Sequence, residues 1–274
     1  MSKNSNKSGQ SIGGALRSVF TVGAMVIALI VSILIFRYVM GNPINFQGGN
    51  PHGTPMPGNY LGIVYKGGFI VPLLMTVNLI LFIFSIERLI TISRARGKGR
   101  LNIFVKKLQE ELASDKIEEA IVDCDKQRGS LANVMKAGLV RYRDLQHDQK
   151  LEKDQKILAL QKEFEEATAL ELPMLSRNLV ILSTIASISV LIGLLGTVLG
   201  MIRAFGALAQ AGSPDALALA TGISEALVNT AFGITGSLLA IVLYNTFSTS
   251  IDNFTYKIDE AGFSLVQSFA ASTK

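Results

Sequence analysis

The stretch RNLVILSTIASISVLIGLLGTVLGMIRAF, residues 177–205, decides the fold. Between Arg177 and Arg203 no side chain is charged over 25 residues. That exceeds the roughly 18 to 20 residues that carry a helix across a ~30 Å hydrocarbon core. A second such run lies downstream in TGISEALVNTAFGITGSLLAIVLYNTFSTSID, residues 221–252, uncharged for 26 residues between Glu225 and Asp252. A span that only anchors to lipid can be mostly Leu, Ile and Val. These two are dotted with Gly, Ala, Ser and Thr, the residues that let membrane helices approach closely. Both are built for neighbours.

The rest of the composition agrees. Of 274 residues, 49% are hydrophobic and 17% charged, against about 25% charged in a soluble domain. Mean hydropathy is +0.39. The net charge of +5 does not imply nucleic acid, because the basic residues cluster beside apolar spans. The single Cys124 excludes an intrachain disulfide and reads as an inert helix residue. His52 and His147, far apart in sequence, make a poor metal set. With no Trp, anchoring at the interfaces falls to Tyr, Phe, Lys and Arg.

Two further spans precede these. Residues 1–17 are polar and basic, with Lys3, Lys7 and Arg17, and residues 18–36 carry no charge. The run is too long for a signal-peptide core, and Arg37–Tyr38 stands where small residues would mark cleavage. A retained first transmembrane helix at about 18–39 is expected, with Arg37 snorkelling to the interface. Residues 41–66 hold four Pro and six Gly, which forbids a continuous helix. The second span covers 67–86, with Pro72 in its first turns and Asn78 in need of a helix partner. Then come Arg88, Arg94, Arg96, Lys98, Arg100, Lys106 and Lys107. Such a cluster belongs in the cytoplasm, and the basic N-terminus gives the same orientation. Both termini are therefore expected inside.

The expected architecture is all-α: a polytopic membrane protein with four transmembrane helices and a helical cytoplasmic domain. Its parts are an N-terminal tail, first span and Gly/Pro-rich outer loop (1–66), the second span (67–86), the cytoplasmic domain (87–177), the third and fourth spans (178–251) and a C-terminal tail (252–274). Within the cytoplasmic part, Leu101, Phe104, Val105, Leu108 and Leu112 recur at helical spacing, and the helix is expected to continue through Asp115–Ala120. Gly129–Ser130 marks a turn. Ile157, Leu160, Phe164 and Ala167 form an apolar seam on a charged helix. Its neighbour is either another helix of this chain or the same helix in another subunit. Pro173 marks a bend, or that helix runs on into the third span as one element.

The third and fourth spans carry the candidate site. Gly193, Thr197 and Gly200 step along one face, Gly196 and Gly200 form a G-x-x-x-G pair, and Gly222 and Gly233 sit on the fourth helix. Packing is one reading of these glycines; in the other, Gly222 and Gly233 let the helices surround a narrow polar passage. Glu225 and Asn229 are four apart on one helix face, with Thr230 one position round. A carboxylate at the centre of a membrane helix costs about 2.5 to 3.5 kcal/mol, less near an interface. Two readings meet that cost: a carboxylate paired with Arg203 or capping the helix, or a polar, proton-accessible lumen lined by Thr197, Glu225, Asn229 and Thr230.

At these residues the chain resembles a known family. IGLLGTVLGMIRAF (192–205) and GISEALVNTAFGITGSLLAIVLYNTF (222–247) look like the signature of the ExbB/TolQ proton-channel proteins, relatives of the flagellar stator protein MotA. The resemblance implies a homopentameric ring whose pore surrounds two copies of a single-span ExbD/TolR-like partner. It also implies a bacterial inner-membrane location and work on an envelope system, with a TonB-like energy transducer as a further partner. Thr197 matches the pore threonine, Glu225 the pore glutamate, and Thr230 the threonine five residues later. The added first span departs from the usual three of ExbB and TolQ, whereas four are found in MotA relatives. Tol-type envelope maintenance, gliding, a flagellar-type stator and a non-conducting scaffold are the alternatives. No nucleophile–base pair, metal cluster or P-loop is present, so neither enzyme activity nor a cofactor is expected.

The topology is testable in intact cells. In a Cys124→Ser background, Asn50→Cys and Ser213→Cys should react with an impermeant maleimide, and Ser114→Cys should not. Protection of Asn50→Cys beside a reactive Ser213→Cys would remove the first span from the count.

Overall fold

The computed structural model describes residues 21–51, 53–114, 116–147, 150–209 and 216–272. The basic N-terminal tail with the start of the expected first span (18–20), His52, Asp115 and the whole connection 210–215 lie outside the described residues. The helices in chain order are α1 (Thr21–Met40), α2 (Tyr60–Tyr65), α3 (Ile70–Ala95), α4 (Leu101–Ala113), α5 (Ile117–Gln127), α6 (Ser130–Gln146), α7 (Lys153–Ser176), α8 (Leu179–Ala209) and α9 (Ala216–Ser272). Four stretches are long and apolar enough to cross a membrane: α1, α3, α7 with α8, and α9. The chain is a multi-pass, all-α membrane protein. It divides into two compact units, Met1–Ser85 with Ile181–Leu243 and Ile86–Val180 with Tyr244–Lys274.

In the first unit, only 17% of the most apolar window of α1 is buried, against 44% for α3. The outward face of α1, including Val22, Ile27, Ile30 and Leu34, is exposed apolar surface. Its one buried polar group, Ser32, donates to the Pro72 carbonyl at 2.5 Å. Asn78 donates to the Leu74 carbonyl at 2.9 Å, and its carboxamide packs against Gly236 of α9, where an added Cβ would stand 2.7 Å from its Oδ1. The last turn of α1, Ile35–Met40, widens to π form. The loop after it is folded rather than loose. Buried Asn45 donates to the Val39 and Met40 carbonyls at 2.8 and 2.9 Å, satisfying helix-end acceptors that would otherwise lack partners. Asn59 holds Asn45 in place at 2.9 Å and caps α2 by accepting from the Gly62 N–H. Tyr65 stacks on Phe36 at 4.7 Å between ring centres.

In the second unit, α4 to α7 pack with the end of α9. Phe164 of α7 fits between Gly138 of α6 and Gly262 of α9, where any Cβ would overlap its ring. The α7 seam is therefore covered by helices of its own chain. Tyr142 and Phe269, both fully buried, meet edge to face at 4.7 Å, a favoured aromatic geometry. Residues 252–272, expected as a tail, are helical. Phe254, Ile258, Ala261, Leu265 and Phe269 recur at helical spacing and are all buried.

Two local expectations change. The helix through 101–113 does not continue to Ala120. It stops at Ala113, where the Ser114 hydroxyl donates to the Glu110 carbonyl and the backbone turns, and α5 starts at Ile117 with its own buried stripe. Pro173 does not break α7. The interruption falls later, at Arg177–Asn178, where Arg177 keeps helical dihedrals. Arg88, almost fully buried, reaches the Leu175 carbonyl at 3.0 Å and the Met174 carbonyl at 3.4 Å, capping that end of α7. Its charge is balanced by Glu87 at 2.6 Å, which also accepts from Asn178.

Cys124 is 2% exposed, and burial, reinforced by Asp125 and Glu111, pushes its thiol up to about 12. The reactive thiolate is thus scarce in the folded protein and recovers only on unfolding. Cys124 should resist maleimide at pH 8 until the second unit opens. Phe269→Ala, which removes a fully buried ring, should cost about 3 to 5 kcal/mol. The midpoint temperature of Cys124 labelling should fall by more than ~5 °C, and an unchanged midpoint would mean that α9 does not help hold this unit.

Candidate functional site

The site rests on the α8–α9 contact, two antiparallel helices whose backbones touch at small residues. A Cβ on Gly200 would stand 2.9 Å from both the Ala226 nitrogen and the Gly222 oxygen. One on Gly222 would stand 2.8 Å from the Ala204 Cβ, and one on Gly233 would stand 2.7 Å from the Ser189 carbonyl. Gly193 faces Gly233, and Gly196 makes room for the Asn229 side chain. All five packing glycines singled out in the sequence lie on this contact. Ser237 adds a hydrogen bond to the Ala186 carbonyl at 2.6 Å. Without a hydrophobic force between helices in lipid, such close approach and such bonds supply the attraction.

The four candidate pore residues separate into two groups. Thr197 of α8 and Thr230 of α9 share a hydroxyl–hydroxyl hydrogen bond across the contact. Each is half-buried. Each also bonds back to its own helix, Thr197 to the Gly193 carbonyl at 3.2 Å and Thr230 to the Ala226 carbonyl at 3.3 Å. Glu225 and Asn229 face elsewhere, toward the turn that leads into α3. Asn229 is fully buried and donates to the Gly67 carbonyl at 2.9 Å. Its Oδ1 is buried without a partner, as is the Ser189 hydroxyl. Glu225, 6% exposed, forms an ion pair with Arg203 of α8. The Arg203 guanidinium also lies 5.2 Å from the centre of the Phe69 ring. No hydrogen bond joins the threonine pair to the Glu225–Arg203 pair among the described residues.

Gly68 explains how a carboxylate fits there. It has φ +76°, and a Cβ at this position would overlap the Glu225 carboxylate. Only glycine takes this conformation freely and leaves that space empty. The Gly67–Gly68 pair was not recognised in the sequence as part of the site, although two glycines directly before an apolar run are a turn signal. Arg203 entered the sequence reading only as the partner in its non-lumen alternative. The structure places it in direct contact with Glu225.

Four membrane-length helical stretches, two of which meet as an antiparallel, glycine-lined pair with buried polar groups, define a polytopic helical membrane protein with a polar intramembrane site. Residues 126–260 match the MotA/TolQ/ExbB proton channel family, and the chain belongs to that family. It is 40% identical over 85 residues to an ExbB-like biopolymer transport protein of Synechocystis sp. (30% of this chain, 40% of the relative). It is 36% identical over 81 residues to the biopolymer transport protein ExbB of Pseudomonas putida (30% and 25%). It is 39% identical over 82 residues to the Tol-Pal system protein TolQ of Haemophilus influenzae (30% and 36%). The matches thus span a quarter to two fifths of these relatives' own lengths.

The glycine contact can be tested apart from any activity. Gly200→Val puts side-chain atoms where the α9 backbone already lies and should lower the thermal stability of the purified protein by about 1 to 3 kcal/mol or more. Gly206→Ala, with nothing within 4 Å of the added carbon, should be neutral or slightly stabilising. Equal tolerance of both substitutions would contradict the close α8–α9 approach.

Proposed function

We propose that this chain is the channel subunit of a proton-driven motor in the bacterial inner membrane, with both termini in the cytoplasm. In this reading five copies form a ring around two copies of a single-span ExbD/TolR-like partner, and the complex works on TonB-dependent outer-membrane transport through a TonB-like energy transducer. The observation that carries the reading is the Thr197–Thr230 hydroxyl pair, half-exposed within the charge-free runs of α8 and α9 in the segment that matches the proton channel family. Paired hydroxyls both donate and accept, so they can pass a proton or hold a water that does. The similarity to TolQ makes Tol-type envelope maintenance the second output of the same mechanism.

Proton transfer needs an acid that can load and release, and the partner supplies it. No Asp lies in the charge-free runs of the third and fourth spans, and Glu225 at the head of the fourth is held by Arg203. One proton crossing ~150 mV delivers about 3.5 kcal/mol, enough to shift a two-state packing equilibrium a few hundredfold. The threonine pair wets the path, while Glu225 and Arg203 set the charge at its mouth.

The test uses the complex copurified with its partner, with native mass spectrometry expected to give five copies plus two. Thr197→Val and Thr230→Val keep the branched shape and remove the hydroxyls. Each should lower proton-driven activity roughly tenfold, the scale of one net hydrogen bond, with the complex intact. Glu225→Gln and Glu225→Ala should both abolish the work with assembly preserved. A nearly normal Gln variant beside a disassembled Ala variant would make Glu225 a structural partner of Arg203 only. Full activity of both valine variants would sink the channel reading.

A further inference from the structure

Apart from the α8–α9 site, the second unit holds a pocket of about 410 Å³ formed by the end of α3, the start of α4 and one face of α9. Three cations line it: Arg96, Arg100 and Lys257. No carboxylate does, and none of the three has an acidic partner among the described residues. Their bonds go to neutral groups instead. Arg96 donates to the Ser250 hydroxyl at 2.7 Å, and Lys257 donates to the Asn102 carboxamide oxygen at 2.6 Å. Other cations of the unit do pair with acids, as Lys136 does with Asp125 at 2.6 Å and Arg143 does with Glu118 at 3.1 Å. Here three cations converge on one pocket whose lining holds no carboxylate.

The floor adds to the field. The α4 helix begins here at Leu101, and its N-cap residue, Arg100, makes no side-chain capping bond. The first N–H groups of a helix lack intrahelical partners, and together with the helix dipole they favour an anion. Gly99 has φ +86°, and a carbon added to it would meet nothing closer than 3.9 Å, so the backbone there is open to a ligand. The pocket also has a place along the chain. Arg96 follows the last residue of α3, and Ser250 sits at the end of the charge-free run of α9. Arg96 lies about two and a half turns past Glu87, where the charge-free run of the second span ends, so the pocket stands at or beyond the ends of two apolar runs. Basic pockets beside membrane spans take phosphate headgroups.

We propose that this pocket binds a phosphate-bearing anion, held by Arg96, Arg100 and Lys257 against the start of α4. Its source is either the headgroup of an anionic phospholipid or a soluble phosphate. The hydroxyl of Ser250 and the amide of Asn253, which also lines the pocket, add neutral hydrogen-bonding groups that suit a phosphodiester and its glycerol.

The purified, delipidated complex would be offered dioleoyl phosphatidylglycerol or dioleoyl phosphatidylcholine, with retained lipid counted by native mass spectrometry. Inorganic phosphate would be titrated separately by calorimetry. The variant pair Arg96→Gln with Lys257→Gln removes two charges from the pocket. Arg143→Gln with Lys162→Gln removes two elsewhere in the same unit. Preferential retention of phosphatidylglycerol, weakened about tenfold or more by the pocket pair and untouched by the control pair, identifies the lipid source. Saturable phosphate binding with the same dependence, and no preference between lipids, identifies the soluble source. Binding of every probe that is equal in the two variant pairs would overturn the proposal. Cys124 labelling reports on folding throughout. If the pocket pair unfolds, Arg100→Gln, whose side chain is exposed, takes its place.

Discussion

Hydrocarbon offers no water to complete a polar group, so every polar side chain between the membrane faces needs a partner from the protein. The close approach of α8 and α9 meets much of that demand. Because Gly193, Gly200, Gly222 and Gly233 let the backbones touch, Thr197 reaches Thr230 and Ser237 reaches the Ala186 carbonyl. Larger residues there would separate the helices and strand those groups. The same register carries Arg203 to Glu225, 22 residues away in sequence. A loss of contact at the glycines would therefore also expose a charge pair.

Two of the four buried side-chain atoms without partners among the described residues, Asn229 Oδ1 and Ser189 Oγ, fall along this same contact. Buried polar atoms of this kind are rare in folded proteins and are commonly met by ordered water. Asn229 is anchored through its other end to Gly67, which leaves its oxygen fixed and available. The polar interior of the first unit is thus divided between a satisfied ion pair, a satisfied hydroxyl pair and two open acceptor sites.

Much of this was legible in the sequence. The spans were, because an uncharged length of 25 or 26 residues answers to one physical requirement. So were the packing glycines, whose spacing places them on helix faces without knowledge of the partner. The course of α9 was harder. Asp252, Lys257, Asp259 and Glu260 read as the start of a polar tail, yet Phe254, Ile258 and Leu265 among them mark a buried stripe. Charge signalled the end of the membrane, not the end of the helix. The separation of Thr197 and Thr230 from Glu225 and Asn229 was not legible. Residues 229 and 230 are neighbours in sequence, and only the positions of α8 and the Gly67–Gly68 turn decide which way each faces. Arg88 was read as one of seven topological charges, whereas burial gives it the separate task of closing the end of α7.

The folded character of the 41–66 loop bears on how the protein can be handled. Asn45 ties the loop to the end of α1, and Asn59 and Tyr65 secure it from the other side. Gly41 and Gly62 are closed in by the Tyr65 ring and the Asn45 carbonyl, so an epitope inserted beside either would pry the knot apart. Gly48, Gly49 and Gly58 project into open space. An affinity tag or a fluorophore grafted at those tips would hang free of the helices, giving a handle that leaves the membrane segments untouched.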